Sequence, residues 1–168
     1  MNREFILQRY AEGERDFCDL ILPTIDLSRT MLRGAAFVQS DLTRALLKRA
    51  DFSHISLNSA ILEAADLEGV NLSRSDLSMA DLRHANLSYA ILNLASLIGA
   101  DLEAAYLVMT QLLGCDLSGV NLTGSASDYC WEGEDILPTP AMVSQSCSLC
   151  RRALVATVLP DPVEITHH

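Results

Sequence analysis

The sequence predicts an all-β solenoid, a chain wound into short coils that stack as a rod, and three observations carry that prediction. Stepping by five from Phe17 to Leu122, every position holds Leu or Phe, with Phe only at 17, 37 and 52. Two residues before each step the side chain is mostly small: Ala35, Ala45, Ala50, Ala60, Ala65, Ala80, Ala85, Ala90, Ala95, Ala100 and Ala105. Between the two sits a short polar residue, at Asp16, Asp26, Asp41, Asp51, Asp66, Asn71, Asp76, Asp81, Asn86, Asp101, Asp116 and Asn121. Helices repeat near 3.6 residues and strands at 2, so a sustained period of five marks an internal repeat rather than either element.

The unit reads A-[D/N]-L-x-x, and each position has a physical reason. Side chains two apart share one face of an extended segment, so Leu/Phe and the small residue before it can both point inward. The residue between them then faces outward beside a turn, where Asp and Asn can bond nearby backbone N–H groups. If each unit makes one side and one turn, four units close a coil of about 20 residues, and coils stack at roughly 4.8 Å. The register then gives about five and a half coils, a rod on the order of 26 Å long at that spacing.

This pattern resembles the pentapeptide-repeat family, abundant in cyanobacteria, and the resemblance covers roughly residues 15–124. It implies a right-handed quadrilateral β-helix; spacing alone establishes only the repeat of five. The lead-in YAEGERDF (10–17) is also similar to that of cyanobacterial members. Departures occur at the outward polar position, where Ile21, Met31, Ala36, Leu46, Ile61, Ile91, Tyr106 and Gln111 replace Asp or Asn. The domain reading is a cap helix over 1–14, the β-helix over 15–124, and a loop with a capping helix over 125–168.

Both ends of a solenoid expose apolar core and unpaired backbone, so both need covering. Residues 2–12 read as a short N-terminal capping helix, with Ile6/Tyr10 and Leu7/Ala11 at i,i+4 spacing and Gly13 as its stop. No proline occurs between Pro23 and Pro138, as a backbone that must keep its donors requires. After Gly124 the stretch SASDYCWEGEDILPTP (125–140) has turn residues and no fivefold register. A helix is then predicted over about 140–158, opened by Thr139–Pro140 and stopped by Pro160. Val143, Cys147, Cys150, Leu154 and Val158 form its apolar stripe. Its length would be ~28 Å, close to that of the rod, with Trp131, Ile136 and Leu137 helping to close that end.

Four units per coil place Tyr89, Tyr106, Val108 and Met109 on one outer side, and Ile91, Leu94 and Leu113 on the next. Outward apolar residues clustered in this way mark a covered surface. The expected cover is the chain's own C-terminal segment, followed by a second copy, so the expected state is a monomer or weak homodimer.

Composition narrows the function classes. Half the residues are apolar (49%) but only 5% aromatic, which suits a narrow interior of Leu, Ala, Ile and Val. The net charge of −10 argues against direct nucleic-acid binding, which needs clustered Lys and Arg. The stretch MNREFILQRYAEGERDF has no signal-peptide core and no run approaches a membrane span, so a cytoplasmic protein with reduced thiols is expected. Charge is mixed on the rod: one side carries Asp41, Glu63, Asp81, Asp101 and Glu103 against Arg44 and Arg83, and its neighbour carries Arg29, Lys48 and Arg49.

No catalytic residue, cofactor site or metal site is predicted. His54 and His84 are isolated outward residues, and no P-loop, dinucleotide fingerprint or metalloprotease motif occurs. Cys130, Cys147 and Cys150 supply too few ligands for a structural zinc site, and the terminal His167 and His168 resemble a tag remnant. Core packing is the first reading of the tail cysteines, then a disulfide with Cys130, then metal or redox chemistry. Cys115 is expected buried and Cys18 exposed. A rod filled by leucine leaves little room for a ligand.

Three functional readings follow. The first is a non-catalytic scaffold or protein-interaction module using the flat sides of the rod, its partner unspecified. The second comes from the resemblance, since some members mimic DNA and modulate the type II topoisomerase gyrase. The third is a redox switch through Cys130, Cys147 and Cys150, which requires exposed thiols of low pKa.

Overall fold

The computed structural model describes residues 1–126 and a two-residue strand at 130–131. The outward residue of each unit pairs in parallel with the residue twenty positions on, as in Asp41↔Ile61, Ile61↔Asp81 and Asp81↔Asp101. At five residues per unit that spacing gives four sides per coil. Side one carries the inward series from Phe17 to Leu117, side two that from Leu22 to Leu122, side three that from Leu27 to Leu107, and side four that from Leu32 to Leu112. Every Leu and Phe of the fivefold register is buried, so the core is four columns of nearly identical side chains. Phe17 and Phe37 stack within side one, their ring centroids 5.2 Å apart.

One unit, Ala80–His84, accounts for all its backbone donors. Asp81 N–H donates to the Ala60 carbonyl of the coil below (3.0 Å), and Leu82 N–H to the Asp101 carbonyl above (2.7 Å). His84 N–H donates to Glu103 (2.9 Å), and the turn closes through Ala85 N–H to the Leu82 carbonyl (3.0 Å). Only the Arg83 N–H lies outside these bonds, and the Asp81 carboxylate accepts it. The same bond recurs at every Asp and Asn of the polar position, from Asp16 (3.1 Å) to Asn121 (3.1 Å). That is why the short polar residue belongs there: it supplies the acceptor that ladder and turn leave out. Pro23 occupies the corresponding position after Ile21, where no N–H needs a partner.

The turn bond runs from the first to the fourth residue, and the third has positive φ in all turns from Asp19 (57°) to Gly124 (69°). This is the type II arrangement, which favours glycine. Most turns nevertheless carry Arg, His, Ser, Ala, Met, Tyr or Leu in the left-handed conformation. Inward polar residues are satisfied too: Ser40 Oγ donates to the Phe17 carbonyl, Ser75 Oγ to Phe52 and Thr110 Oγ1 to Leu87.

The first coil is covered by helix α1, Arg3–Ala11. Asn2 caps it, its side chain accepting from Phe5 N–H at 3.0 Å, and Gly13 at φ +99° turns the chain away. Ile6 is fully buried over the open coil, flanked by Leu7 and Tyr10, while Ala11 is exposed. Arg3 bonds the carbonyls of Asp26 and Ser28, and Tyr10 Oη donates to the Arg33 carbonyl.

At the far end the stacking outlasts the leucine signal. Ala126 pairs with Tyr106, and strand β1 (Thr110–Gln111) pairs in parallel with strand β2 (Cys130–Trp131) at the same twenty-residue spacing. The fivefold stacking therefore does not stop at Gly124. Cys130 takes the register position of Thr110, and Trp131 that of Gln111. The segment 140–158, with Cys147 and Cys150, lies outside the described residues, as do Ile136 and Leu137. Two expectations for cysteines need correction. Cys115 is half-buried rather than buried: Ala95 stacks on it from one side, and position 135 on the other side lies outside the described residues. Cys18 is half-buried rather than exposed, and burial together with Asp16 pushes its thiol pKa up.

Candidate interaction surface

Each unit presents three outward residues: the polar position and the two turn residues. Between Arg83 and Asp116 the only carboxylates are Asp101 and Glu103, and both belong to side two. No Lys or Arg occurs in that interval, so sides three and four are uncharged over the upper described coils (upper meaning toward higher residue numbers), while side one carries Asp116.

Apolar side chains stand in register on sides three and four, with one further pair on side one. Tyr89 N–H donates to the Val108 carbonyl (2.8 Å), Leu94 to Leu113 (2.9 Å), and Met79 to Ile98 (2.8 Å). These bonds bring together Tyr89, Val108 and Met109 on side three, with Tyr106 beside them, and Leu94 and Leu113 on side four, with Ile91 at the next position. Tyr89, Leu94, Tyr106, Met109 and Leu113 are exposed, whereas Ile91 and Val108 are half-buried. Met79 and Ile98 form a third pair on side one that sequence reading missed. Their spacing of nineteen residues is the same one that joins Tyr89 to Val108 and Leu94 to Leu113, and that spacing could have found them.

Glycines flatten the corners of this region. A Cβ on Gly99 would stand 2.6 Å from Met79 Sδ, and one on Gly114 would stand 2.8 Å from Leu94 Cδ2. Met79 and Leu94 therefore lie along the rod over the next coil rather than projecting from it.

Side two has a different character. Asp41, Ile61, Asp81, Asp101 and Asn121 form one paired column, with Glu63 and Glu103 beside it. Asp81 and Asp101 are direct neighbours, and Arg83 answers the repulsion. Its guanidinium grips Asp81 through two bonds (2.8 and 2.7 Å) and lies 3.8 Å from Glu63 and 4.0 Å from Asp101. Those bonds hold the Asp81 carboxyl below its usual range, against the opposing effect of partial burial, and raise the already high Arg83 pKa. Elsewhere Asn relieves the stacking: Asn71 donates to Asp51, Asn86 to Asp66, and Asn121 to Asp101. The acidic side is thus an ion cluster around a cation rather than a field of one sign.

On the lower part of side three, Lys48 pairs with Asp66 (3.0 Å) and Glu68 (3.1 Å). Arg29 and Arg49 at the corner have no ion-pair partner among the described residues. No group of three or more His, Cys, Asp or Glu able to hold a metal occurs among the described residues. His54 and His84 occupy left-handed turn positions at φ 61° and 59°. No helix among the described residues is long and apolar enough to cross a membrane.

Comparison with known proteins agrees with this geometry. The family pattern described as pentapeptide repeats (8 copies) matches residues 16–49, 25–63, 50–88, 65–103 and 95–126. The pentapeptide repeat protein Rfr23 of the cyanobacterium Cyanothece 51142 is similar at 26% identity and a TM-score of 0.58, over 73% of this chain and 92% of that one. The pentapeptide repeat protein alr5209 of Nostoc PCC 7120 is 31% identical with a TM-score of 0.56, over 60% of this chain and 80% of that one. QnrB1, a plasmid-mediated fluoroquinolone resistance protein, shares the fold at 23% identity and a TM-score of 0.52, over 67% of this chain and 62% of that one. No curated protein matches the sequence. A filled core of leucine columns, twenty-residue coils and a matched repeat over most of the described length lead to one conclusion: the chain belongs to the pentapeptide-repeat family, whose fold is a right-handed β-helix.

Proposed function

We propose that the protein is a non-catalytic docking scaffold that presents the uncharged upper sides of its rod to another protein. The observation that carries this reading is the band of Tyr89, Leu94, Tyr106, Met109 and Leu113, exposed on sides that hold no charge across the upper described coils. An apolar surface of that kind marks a contact site, and the core behind it is filled by leucine. The scaffold acts as a monomer or weak homodimer, and a cytoplasmic setting belongs to the same proposal. The test is affinity capture from a cyanobacterial lysate with the full chain, a Leu94→Lys/Leu113→Lys variant and an Asp41→Lys control. A partner should be lost with the first variant and kept with the control; a capture profile indifferent to both would overturn the reading.

A second reading, a DNA-like modulator of gyrase, draws on the stacked Asp81 and Asp101 of side two. It is the weaker one, because a mimic needs phosphate-like potential of one sign and Arg83 sits within the column. Gyrase supercoiling unaffected by micromolar protein would remove it.

A further inference from the structure

Two corner columns border side four, each with one left-handed turn residue per coil. From bottom to top, the corner shared with side three reads Arg29, Arg49, Gly69, Tyr89 and Met109, and the corner shared with side one reads Gly34, His54, Arg74, Leu94 and Gly114. In both, arginine stands below and Tyr, Met or Leu above. Side four and its borders carry five cations, Arg29, Arg33, Lys48, Arg49 and Arg74, against two carboxylates, Asp51 and Glu68, on a chain whose net charge is −10. Both carboxylates are already engaged, Asp51 by Arg33 (3.7 Å) and Asn71 (3.2 Å), and Glu68 by Lys48 (3.1 Å). Arg29, Arg49 and Arg74 are exposed and have no ion-pair partner among the described residues. They sit at φ 58°, 54° and 59°, in a turn position that favours glycine and calls for no cation. We propose that the partner of this rod lays along side four a segment that is rich in carboxylates at one end and apolar at the other. The acidic end meets Arg29, Arg49 and Arg74, and the apolar end covers Tyr89, Leu94 and Leu113.

Charge complementarity selects this occupant. Three uncommitted guanidiniums on an otherwise acidic molecule match carboxylates and fix which way the segment lies. The basic and apolar parts form one track, because a Cβ on Gly69 would stand 3.4 Å from Arg49 Cγ, so the Arg49 side chain leans over Gly69 toward Tyr89. From the coil of Arg29 to that of Met109 is four spacings, about 19 Å, the reach of about six extended residues or about thirteen helical ones. A nucleic acid or an anionic membrane matches less well. Either needs cations along the whole contact, and neither side three nor side four carries Lys or Arg above Arg74 in the described coils. The proposal rests on the reading of the upper band as a docking surface and adds the chemistry of what docks there.

The test is fluorescence anisotropy of the full chain with a labelled block peptide, glutamates at one end and leucine and tyrosine at the other. The wild type should bind it about tenfold more tightly than a peptide of the same composition in alternating order. Arg29→Gln/Arg49→Gln/Arg74→Gln should weaken binding about tenfold and flatten its dependence on salt. Gln39 already adopts the same turn conformation, at φ 56°, so this variant keeps the fold. Leu94→Ser/Leu113→Ser should weaken binding as well, whereas Asp41→Lys, on side two, should change it by less than about twofold. Four outcomes would overturn the proposal: no binding by the wild type, affinity unchanged in the triple arginine variant, tighter binding of duplex DNA or of phosphatidylserine vesicles than of the block peptide, or a concentration-dependent dimer in sedimentation that the same variant breaks. Failure of the block peptide while lysate capture is still lost in Leu94→Lys/Leu113→Lys would sink the acidic partner and leave the docking surface standing.

Discussion

At the scale of the residue, the five positions of a unit divide the work so completely that each tolerates a different set of side chains. Leu82, fully buried at mid-rod, supports both neighbours of its column. Leu82→Ala should cost about 2–5 kcal/mol, the range for truncating a buried leucine, as read by urea unfolding. A loss below about 1 kcal/mol would contradict the inward assignment. The two turn positions differ sharply from each other. At the first, the N–H is outside the ladder, and Pro23 already stands there. Val38→Pro, following Ala36 rather than an Asp, should therefore change stability by less than about 1 kcal/mol. At the second, φ is positive and the N–H is bonded: Gln39 has φ 56° and donates to the Asn58 carbonyl. Gln39→Pro should cost about 3 kcal/mol or more, and equal midpoints for the two variants in thermal unfolding would refute the turn assignment.

The element scale concerns the coil and its caps. The inward register, the outward Asp/Asn bond and helix α1 were legible in the sequence because each leaves a mark on residue type. Leu and Phe fill a column, Asp bonds the nearby N–H, and Ile6 repeats toward Tyr10 at helical spacing. The left-handed turn residue leaves no such mark, since Arg29, His84, Tyr89 and Met109 occupy it as well as glycine. Arg83 was visible as a residue, but its grip on Asp81 beside Asp101 depends on coils stacked twenty residues apart. The pairing of Tyr106 with Ala126 and of β1 with β2 left no mark for the same reason: it continues where leucine no longer shows the register. The lower cap carries a prediction of its own. Ile6 is fully buried over the first coil, so Ile6→Ala should cost about 2–4 kcal/mol. It should also speed hydrogen exchange first at the Phe17 and Leu22 amides, which pair upward to Ala36 and Asp41; uniform acceleration along the rod would contradict its role as a local cap.

For the whole molecule, acid stability follows from the outward carboxylates. Asp16, Asp26, Asp81 and Asp116 all have folded pKa values held below the usual carboxylate range. The leading causes are the Cys18 side chain, the Ser28 backbone N–H, the Arg83 side chain and the Ser118 side chain, respectively. A group whose pKa is depressed by folding stabilises above its unfolded value, near 3.9 for Asp, and loses that contribution as pH falls through the folded value. Stability should therefore be flat above about pH 5 and fall steadily below about pH 4. Arg83→Met should flatten the slope, and a stability that rose on acidification would reverse the sign of the account.

The rod as a whole joins a rigid, self-satisfied interior to an uneven exterior: cations low on side three, an ion cluster on side two, and uncharged, largely apolar residues on the upper parts of sides three and four. The central claim is that the last of these is where the molecule meets another protein. The most direct measurement is site-specific photo-crosslinking in a cyanobacterial lysate, with a photoreactive residue in place of Leu94 or, separately, of Asp41. Adducts of one defined mass from position 94, and none from position 41, are the predicted result. Adducts of equal yield from both positions, or from position 41 alone, would contradict it.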